Sequence, residues 1–585
     1  QVVLAKTLTA CAVQRHTSSP LMMCKFELAK GVVIMFFVAL LAVTGTARDT
    51  CEVAEVDRID CKRGIDDCVA NGCCWRPVSP NPSNYPWCFK QNSTPPTPPP
   101  GPTPRPTPHS PESSSSAFVH LFEWSWSDIA KECEEWLGPK GFTAVQISPP
   151  NDHIQGSQWW TRYQPVTYKL VSRSGDEQAF IDMVQRCQKV GVGIYADAVI
   201  NHIAAGGGTS IAGSSYGNRA TPIYNPDDLH HNNGDDTKNC GVENYANKWN
   251  VQYCDLSGLP DLCTACEKVQ RQVAAYIKHM SDIGIAGFRV DAAKHQDAAE
   301  LGQLLSHVPE HLFRFHEVIS GSGEAVTTDM YFDLGHVTEF DYSRKLRSNF
   351  LQDGKLQYLK LFGESWGLMP TKNAVVFIDN HDTQRGETAG FTYKAGKLYE
   401  LANIFMLAHP YGYPKVMSSY YFDEHDQGPP STPVHSGTDV RCGGQPRHDV
   451  SMKRDSTSSL NSSSPLDTAW VCEHRWLPVA NMVAWRKSAG TNWLSNFQAP
   501  GGDTIAFCRG PGACIALNRQ EQNTWSVQLK FQLPPGRYCD VIQSDDTSTC
   551  PVVEVAADGS VHLNVPPLSA VALHIGKKME GSMVI

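Results

Sequence analysis

Four apolar stretches in this chain each run into a carboxylate. They are Gly193-Ile-Tyr-Ala-Asp197-Ala-Val-Ile-Asn201-His202, Gly287-Phe-Arg289-Val-Asp291-Ala-Ala-Lys294-His295, Phe315-His316-Glu317-Val-Ile319 and Val376-Phe-Ile-Asp379-Asn380-His381-Asp382. Short Val/Ile/Phe/Ala runs are what strands buried on both faces look like. Acids at the C-terminal ends of several such strands are where a (β/α)8 barrel carries its chemistry. The pattern therefore predicts an α/β fold built on a parallel barrel, with its reactive groups at one end.

At 585 residues the chain is too long for one ordinary domain. A net charge of -10 and a pI near 6.1 are mild at this size and predict no nucleic-acid partner. Twenty cysteines point to an oxidising compartment. Residues 31–43, GVVIMFFVALLAV, follow Lys25 and Lys30 and precede the small residues Gly45-Thr46-Ala47. This reads as a secretory signal peptide, and it is short for a membrane anchor, the alternative. Met22 and Met23 stand just before the basic region, so residues 1–21 are expected to be a non-native leader and 1–47 to be absent from a secreted, extracellular product. Loss of Cys11 and Cys24 would leave an even number of cysteines.

Residues 48–90 hold Cys51, Cys61, Cys68, Cys73, Cys74 and Cys88. A module this small lacks core and needs staples. Free thiolates for zinc do not suit the compartment, and the pairing is not fixed by sequence. Residues 91–116 are rich in Pro, Thr and Ser without apolar periodicity, an extended linker suited to O-glycosylation, with an Asn92-Ser-Thr94 acceptor. Strand and helix patterns then alternate from Val119-His-Leu-Phe122 and a helix over 127–137 to about residue 490, as a barrel requires. The rhythm divides into a first barrel part at 117–200, an inserted domain over 201–262 rich in Gly, Asn and Asp, and a second barrel part at 263–490. Residues 491–585 hold short β-like runs between turn residues, an antiparallel β-sandwich domain in which Cys508/Cys514 and Cys539/Cys550 are spaced to staple neighbouring strands.

Taken together, His120-Leu-Phe-Glu-Trp124, Trp159-Trp160, Asp197-Ala-Val-Ile-Asn-His202, Gly287-Phe-Arg-Val-Asp291, Asp379-Asn-His-Asp382 and His409-Pro-Tyr-Gly412, in this order, resemble the animal-type α-amylases from about Ala117 to Ile575. A lone Asp after a strand is commonly a helix cap, and the ordered co-occurrence of all six motifs sets that reading aside. The stretch Asn71-Gly-Cys-Cys-Trp75 with Pro86-Trp-Cys88 resembles a trefoil (P-type) domain, which implies pairs Cys51–Cys74, Cys61–Cys73 and Cys68–Cys88.

The amylase resemblance implies a secreted endo-acting hydrolase of internal α-1,4 bonds in starch and glycogen, retaining configuration. Asp291 matches the nucleophile, Glu317 the general acid/base, and Asp382 the third acid that holds substrate hydroxyls. Arg289, two residues back on the strand, points to the same side as Asp291 and is expected to keep it ionised. His202, His295 and His381 match histidines that hydrogen-bond the sugar. Trp159, Trp160, Tyr163, Gln164 and Lys294 match further substrate positions, and two adjacent tryptophans cannot both face the core of a strand.

A calcium ion is implied at Asn201 and Asp261 by side chain and at Gln252 and His295 by carbonyl; Gln252 stands where the family has Arg. A chloride ion is implied at Arg289, Asn380 and Lys415, where the family's second arginine is replaced by a lysine that cannot make a two-nitrogen fork, so weaker chloride dependence is expected. Implied disulfides are Cys133–Cys187, Cys240–Cys254, Cys442–Cys472 and Cys539–Cys550, with Cys508–Cys514 a further pair. Cys263-Thr-Ala-Cys266 is left over, and in a secreted hydrolase a local disulfide is favoured. The chain departs from the family after Asp382, where Thr383–Gly390 lacks a longer glycine-rich loop with a histidine. It departs again at 421–469, a longer polar stretch with an Asn461-Ser-Ser463 acceptor.

Two other readings compete. A carbohydrate- or mucin-binding protein with an inert barrel has no use for an intact Asp291, Glu317 and Asp382. A related barrel enzyme acting on maltose or on transfer is disfavoured by Arg289 and Asn380. The expected partners are polysaccharide and, through the trefoil module, mucin or other glycans, with the chain a monomer and no membrane span after signal cleavage.

Overall fold

The computed structural model describes residues 114–230, 240–386, 391–443 and 470–579, and the backbone of Cys11–Gln14, Leu21–Cys24, Cys73–Trp75 and Cys88–Lys90. The chain divides into one unit of residues 1–107 and another of 108–585. In the first, Cys11–Gln14 pairs antiparallel with Leu21–Cys24, and Cys73–Trp75 with Cys88–Lys90. The trefoil pairings, the apolar signal segment, most of the leader and most of the linker lie outside the described residues.

Eight parallel strands close the barrel of the second unit in sequence order: β1 (Phe118–Leu121), β2 (Ala144–Ile147), β3 (Gly193–Ala198), β4 (Gly287–Val290), β5 (Phe313–His316), β6 (His336–Thr338), β7 (Ala374–Val376) and β8 (Tyr413–Ser418). Val416 of β8 pairs with Val119 of β1, completing the ring. Nearly every strand residue is buried, which explains their continuous apolar runs. Phe118, Tyr195, Phe313, Phe315 and Tyr413 pack as one cluster inside the barrel, with Phe118 and Tyr413 rings 4.6 Å apart. That aromatic plug fills the lower barrel and leaves the C-terminal rim for polar groups. Gly287 admits no side chain, because a Cβ there would meet the Phe313 carbonyl oxygen.

Helices cover the outside: α1 (Trp126–Glu132), α2 (Glu177–Lys189), α3 (Glu267–Ile283), α4 (Ala298–Leu305), α5 (Phe340–Leu351), α6 (Lys397–Ala408) and α7 (Leu477–Ala489). In α2 the Asp176 side chain caps the Ala179 N–H at 2.9 Å, and Phe180, Met183, Val184 and Cys187 form the buried stripe. The helix expected over 127–137 does not keep one pitch: α1 passes into a π turn over Cys133–Leu137. Cys133 bonds Cys187 and ties that turn to α2.

The stretch between β3 and β4 leaves the barrel as a mostly irregular excursion held by Cys240–Cys254 and by the Arg219–Asp255 ion pair. After α7 come eight antiparallel strands. β9 (Leu494–Gly501), β10 (Thr504–Arg509), β11 (Ala513–Asn518) and β16 (Ser569–His574) form one sheet. β12 (Trp525–Lys530) pairs with β15 (Ser560–Val565), and β13 (Gly536–Cys539) with β14 (Val552–Val555), over a second apolar core. Cys442–Cys472, Cys508–Cys514, Cys539–Cys550 and the local Cys263–Cys266 bridge are all formed.

Candidate active site

The rim acids come from the strand ends. Asp197 lies within β3, while Asp291 and Glu317 each follow the last residue of their strand. The strand before Asp379 is shorter than its apolar run, stopping at Val376. Arg289 on β4 reaches three of the acids. Its Nη1 donates to Asp197 Oδ1 at 2.7 Å and Asp291 Oδ1 at 2.9 Å, and its Nη2 lies 2.5 Å from Glu317 Oε1. Tyr163 donates its hydroxyl to the other oxygen of Asp197 at 3.0 Å.

Burial dominates the titration of Asp197, Asp291 and Asp382. Burial, followed by the charges of Glu317 and Asp197, pushes Asp291 well up, with Arg289 pulling the other way. Burial likewise raises Asp197, and burial with the charge of Glu317 raises Asp382 to about 7. Arg289 therefore offsets the cost of burying Asp291 only in part. Asp197, Asp291 and Asp382 therefore each hold a proton more tightly than an exposed carboxyl does.

The histidines are neutral. Burial lowers His202 and His295 to about 4, and lowers His381 well below its ordinary range. His202 Nε2 lies 2.8 Å from the Tyr163 carbonyl, and His295 Nδ1 2.9 Å from the Val251 carbonyl. Each carbonyl fixes the ring and the position of its proton. His381 stacks on Tyr163, centroids 5.2 Å apart, with Nε2 3.2 Å from Asp382 Oδ2.

Above these groups opens a cleft of about 540 Å³ lined by Asp291, Glu317 and Asp382 on its floor and by Trp159, Trp160 and Tyr163 on one wall. The tryptophans sit on a one-turn 3-10 helix, Trp159–Tyr163, and not on a strand, so both can reach the cleft, Trp159 the more buried of the two. Arg162, wholly buried, anchors that turn through the Pro149 carbonyl and Ser174. Trp159 Nε1 donates to the His425 carbonyl at 3.0 Å.

His202, His295 and Lys294 also line the cleft. Gln164 is not among its lining residues; its side-chain oxygen accepts the Ala205 N–H at 3.2 Å. Several lining residues escaped the sequence reading, Tyr245 and Glu324 among them. Lys294 Nζ lies 4.4 Å from the Tyr245 ring centroid and 2.6 Å from Glu324. Both neighbours come from irregular segments, where no periodicity marks a functional position.

Lys415 on β8 lies beneath the floor, buried, its Nζ 4.8 Å from the Phe377 ring centroid. Burial, followed by the charge of Arg289, lowers it to about 7. Asn380 accepts the N–H groups of Asp382 and Thr383 at 3.1 and 2.7 Å, which shapes the turn carrying Asp382.

At the root of the excursion, Asn201 Oδ1 and Asp261 Oδ1 are buried without a hydrogen-bond partner. The two segments are joined by a bridge between His202 and Asp261 and by the Leu262 N–H to the Asn201 carbonyl at 2.9 Å. His230 Nδ1 lies 2.6 Å from the other Asp261 oxygen. Among the described residues no group of three His, Cys, Asp or Glu side chains could hold a metal. The donor set there is amide, carboxylate and carbonyl oxygen, and two orphaned buried oxygens fit a hard cation.

Comparison with known proteins gives matches across the chain. Residues 136–312 match the family described as alpha amylase, catalytic domain, and 494–576 match alpha amylase, C-terminal all-beta domain. Residues 51–91 match the trefoil (P-type) domain. Pancreatic alpha-amylase 2a5 of Mus musculus is 40% identical over 500 residues, covering 79% of this chain and 95% of that protein. Alpha-amylase 1B of Homo sapiens is 40% identical over 505 residues, covering 80% and 96%. The crystal structure of alpha-amylase I from Eisenia fetida superposes with a TM-score of 0.69 at 34% identity, covering 79% of this chain and 97% of that one. A mutant of that enzyme, solved in complex with maltohexaose, matches equally well.

Proposed function

The chain belongs to the alpha-amylase family, and from that premise we propose that it cleaves internal α-1,4 bonds of starch and glycogen with retention of configuration. One observation carries the mechanism: a single guanidinium, Arg289, contacts both Asp291 and Glu317 on the floor of an aromatic-walled cleft. Sharing one cation holds the two carboxyls close, as a retaining pair at ~5–5.5 Å requires.

In the proposed reaction Glu317 gives a proton to the glycosidic oxygen while Asp291 attacks the anomeric carbon. The leaving chain departs and a glycosyl ester forms on Asp291. Glu317, now a base, takes a proton from water, which attacks the same carbon and frees Asp291. Asp382 and the neutral His202, His295 and His381 bind hydroxyls of the reacting sugar. Trp159, Trp160 and Tyr163 pack against sugar faces.

Asn201 and Asp261, with the carbonyls of Gln252 and His295, are the residues that would hold Ca2+. Bound there, it would pin the excursion to the barrel and so fix His202 and His295. Arg289, Asn380 and Lys415 would hold Cl-, supplying a fixed negative charge under the acids. Secretion follows from the signal-like segment. Among the described residues no helix is long and apolar enough to cross a membrane. The trefoil module would hold the enzyme on mucin or other glycans.

Proton NMR of the first products tests the mechanism. Retention predicts the α-anomer before mutarotation; first appearance of the β-anomer would overturn it.

A further inference from the structure

Behind the turn that carries Asp382 lies a line of buried polar groups that the reaction above does not use. Asp379 and Gln384 belong to the turn after β7, and Ser419 follows the last residue of β8. Glu473 opens a short 3-10 helix, Glu473–Arg475, ahead of α7, and Tyr399 comes from α6.

Their contacts connect end to end. Tyr399 donates its hydroxyl to Asp379 Oδ1 at 2.6 Å. Gln384 Nε2 donates to Asp379 Oδ2 at 2.8 Å and also to Ser419 Oγ. Ser419 donates its backbone N–H to Glu473 Oε2 at 2.7 Å. The Gln384 N–H meets the Asn380 carbonyl at 3.0 Å, so Gln384 joins this line to the turn holding His381 and Asp382. The Val471 N–H meets the Ser419 carbonyl at 2.9 Å and fixes the Glu473 segment against the end of β8.

The partners of the two carboxyls are a phenol, a carboxamide and a peptide N–H, none of them charged. Burial without a paired cation favours the protonated acid. Glu473 Oε1, buried and without a hydrogen-bond partner, is open to that proton. Burial, followed by the charge of Asp379, accordingly raises Glu473 to about 8, and burial raises Asp379 to about 7. The other titratable or charged groups facing the pair are Lys415 on β8, Tyr393 and Tyr399 at and before α6, and Tyr421 beyond β8. On the Glu473 segment itself, His474 and Arg475 are both engaged by Glu132 of α1.

We propose that Glu473 is a positioning residue of the reaction: as a neutral acid it anchors Ser419 and Gln384, and through them it sets the turn that presents His381 and Asp382 to the sugar. The proposal rests on the α-amylase reading of the cleft. Ionising Glu473 puts a like charge behind Asp379, which the line relieves by shifting. A small displacement of groups that hold the reacting sugar lowers turnover more than it weakens binding.

The test uses the full chain and its Glu473→Gln and Glu473→Asp variants. Turnover of a defined maltooligosaccharide and Tm are followed from about pH 5 to about pH 9. Near pH 6 Glu473→Gln, neutral and of the same shape, should keep kcat within about two-fold. Glu473→Asp, one methylene shorter, should lower kcat at least about five-fold with KM changed less. Between about pH 7 and pH 9 the parent should lose at least about three-fold more kcat than Glu473→Gln. The folded-state value of about 8 lies above the unfolded one of ~4.3, so the parent loses stability as pH rises between them. Glu473→Gln has no such loss, and its Tm should gain on the parent's across that window. Superimposable kcat profiles for parent and Glu473→Gln would overturn the proposal, as would a folded Glu473→Gln as slow as Glu473→Asp. A Tm difference that stays constant with pH would overturn the neutral acid even where Glu473→Asp does not fold. A parent that cleaves no α-glucan would instead overturn the reading of the cleft.

Discussion

Ala292 donates its backbone N–H to Glu317 Oε2 at 2.9 Å, and it does so from a left-handed conformation, φ 48°. The residue after the proposed nucleophile thus aims the proposed acid. A left-handed L-residue costs ~1–2 kcal/mol, so the strain is maintained by its surroundings. Ala292→Gly should keep kcat within about two-fold, because glycine adopts this conformation freely. Ala292→Val should lower kcat by at least about ten-fold with a smaller change in KM, since a β-branched residue resists φ > 0. Steady-state kinetics on a defined maltooligosaccharide reads both.

Lys415 should make the enzyme less dependent on chloride than a two-arginine site. Burial and Arg289 lower its pKa to about 7, so its charge is present below that pH and fades above it. Raising pH through about 7 should therefore add a Lys415 component to the inflection in kcat/KM that Asp382 also produces, and Lys415→Arg, which stays charged, should make that inflection shallower. The same shift makes the folded state hold the Lys415 proton less tightly than the unfolded chain. Its contribution to stability accordingly rises between about pH 7 and the ordinary lysine pKa of ~10.4. Activity in chloride-free buffer at pH 6 should remain at least about half of its chloride value. Complete loss would count against this.

Removing calcium should destabilise the excursion before the barrel. Ca2+ binding only the folded state raises stability by ~2.7 kcal/mol at a hundred times its Kd, so EDTA should lower Tm by several degrees. Asp261→Asn should reduce that calcium-dependent increment. An identical Tm with and without EDTA, for protein shown to be metal-free, would refute the site.

Glu132 should dominate acid sensitivity away from the cleft. It is fully buried and meets His435 at 2.9 Å, His474 at 2.8 Å and Arg475 at 2.6 Å. Burial alone would raise its pKa, but those hydrogen bonds outweigh it and hold the carboxyl far below its ordinary range. A depressed folded-state value means stability that is present above the unfolded pKa of ~4.3 and lost as pH falls below it. Glu132→Gln should cost ~3 kcal/mol at pH 7, as loss of a buried ionic partner does, and should flatten the acid limb of the unfolding curve.

The barrel and its rim acids were legible because strand ends fix both spacing and direction. An apolar run ending in Asp291 or Glu317 leaves little freedom in where the carboxyl points. The 3-10 turn under Trp159 was not legible, since Arg162 and its buried carbonyl partners, distant in sequence, decide it. Tyr245 and Glu324 were missed for a related reason: each is brought to Lys294 by an irregular segment that tertiary contacts shape. Residues 387–390 of the altered stretch Thr383–Gly390, and the Asn461 acceptor, lie outside the described residues.

The most direct test is starch hydrolysis by the full chain and its Glu317→Gln variant, both checked for folding. The account predicts rapid loss of iodine colour by the parent and a fall of at least about a thousand-fold in the variant, which keeps the shape but cannot give up a proton. Starch cleavage by the variant at close to the parental rate would contradict it.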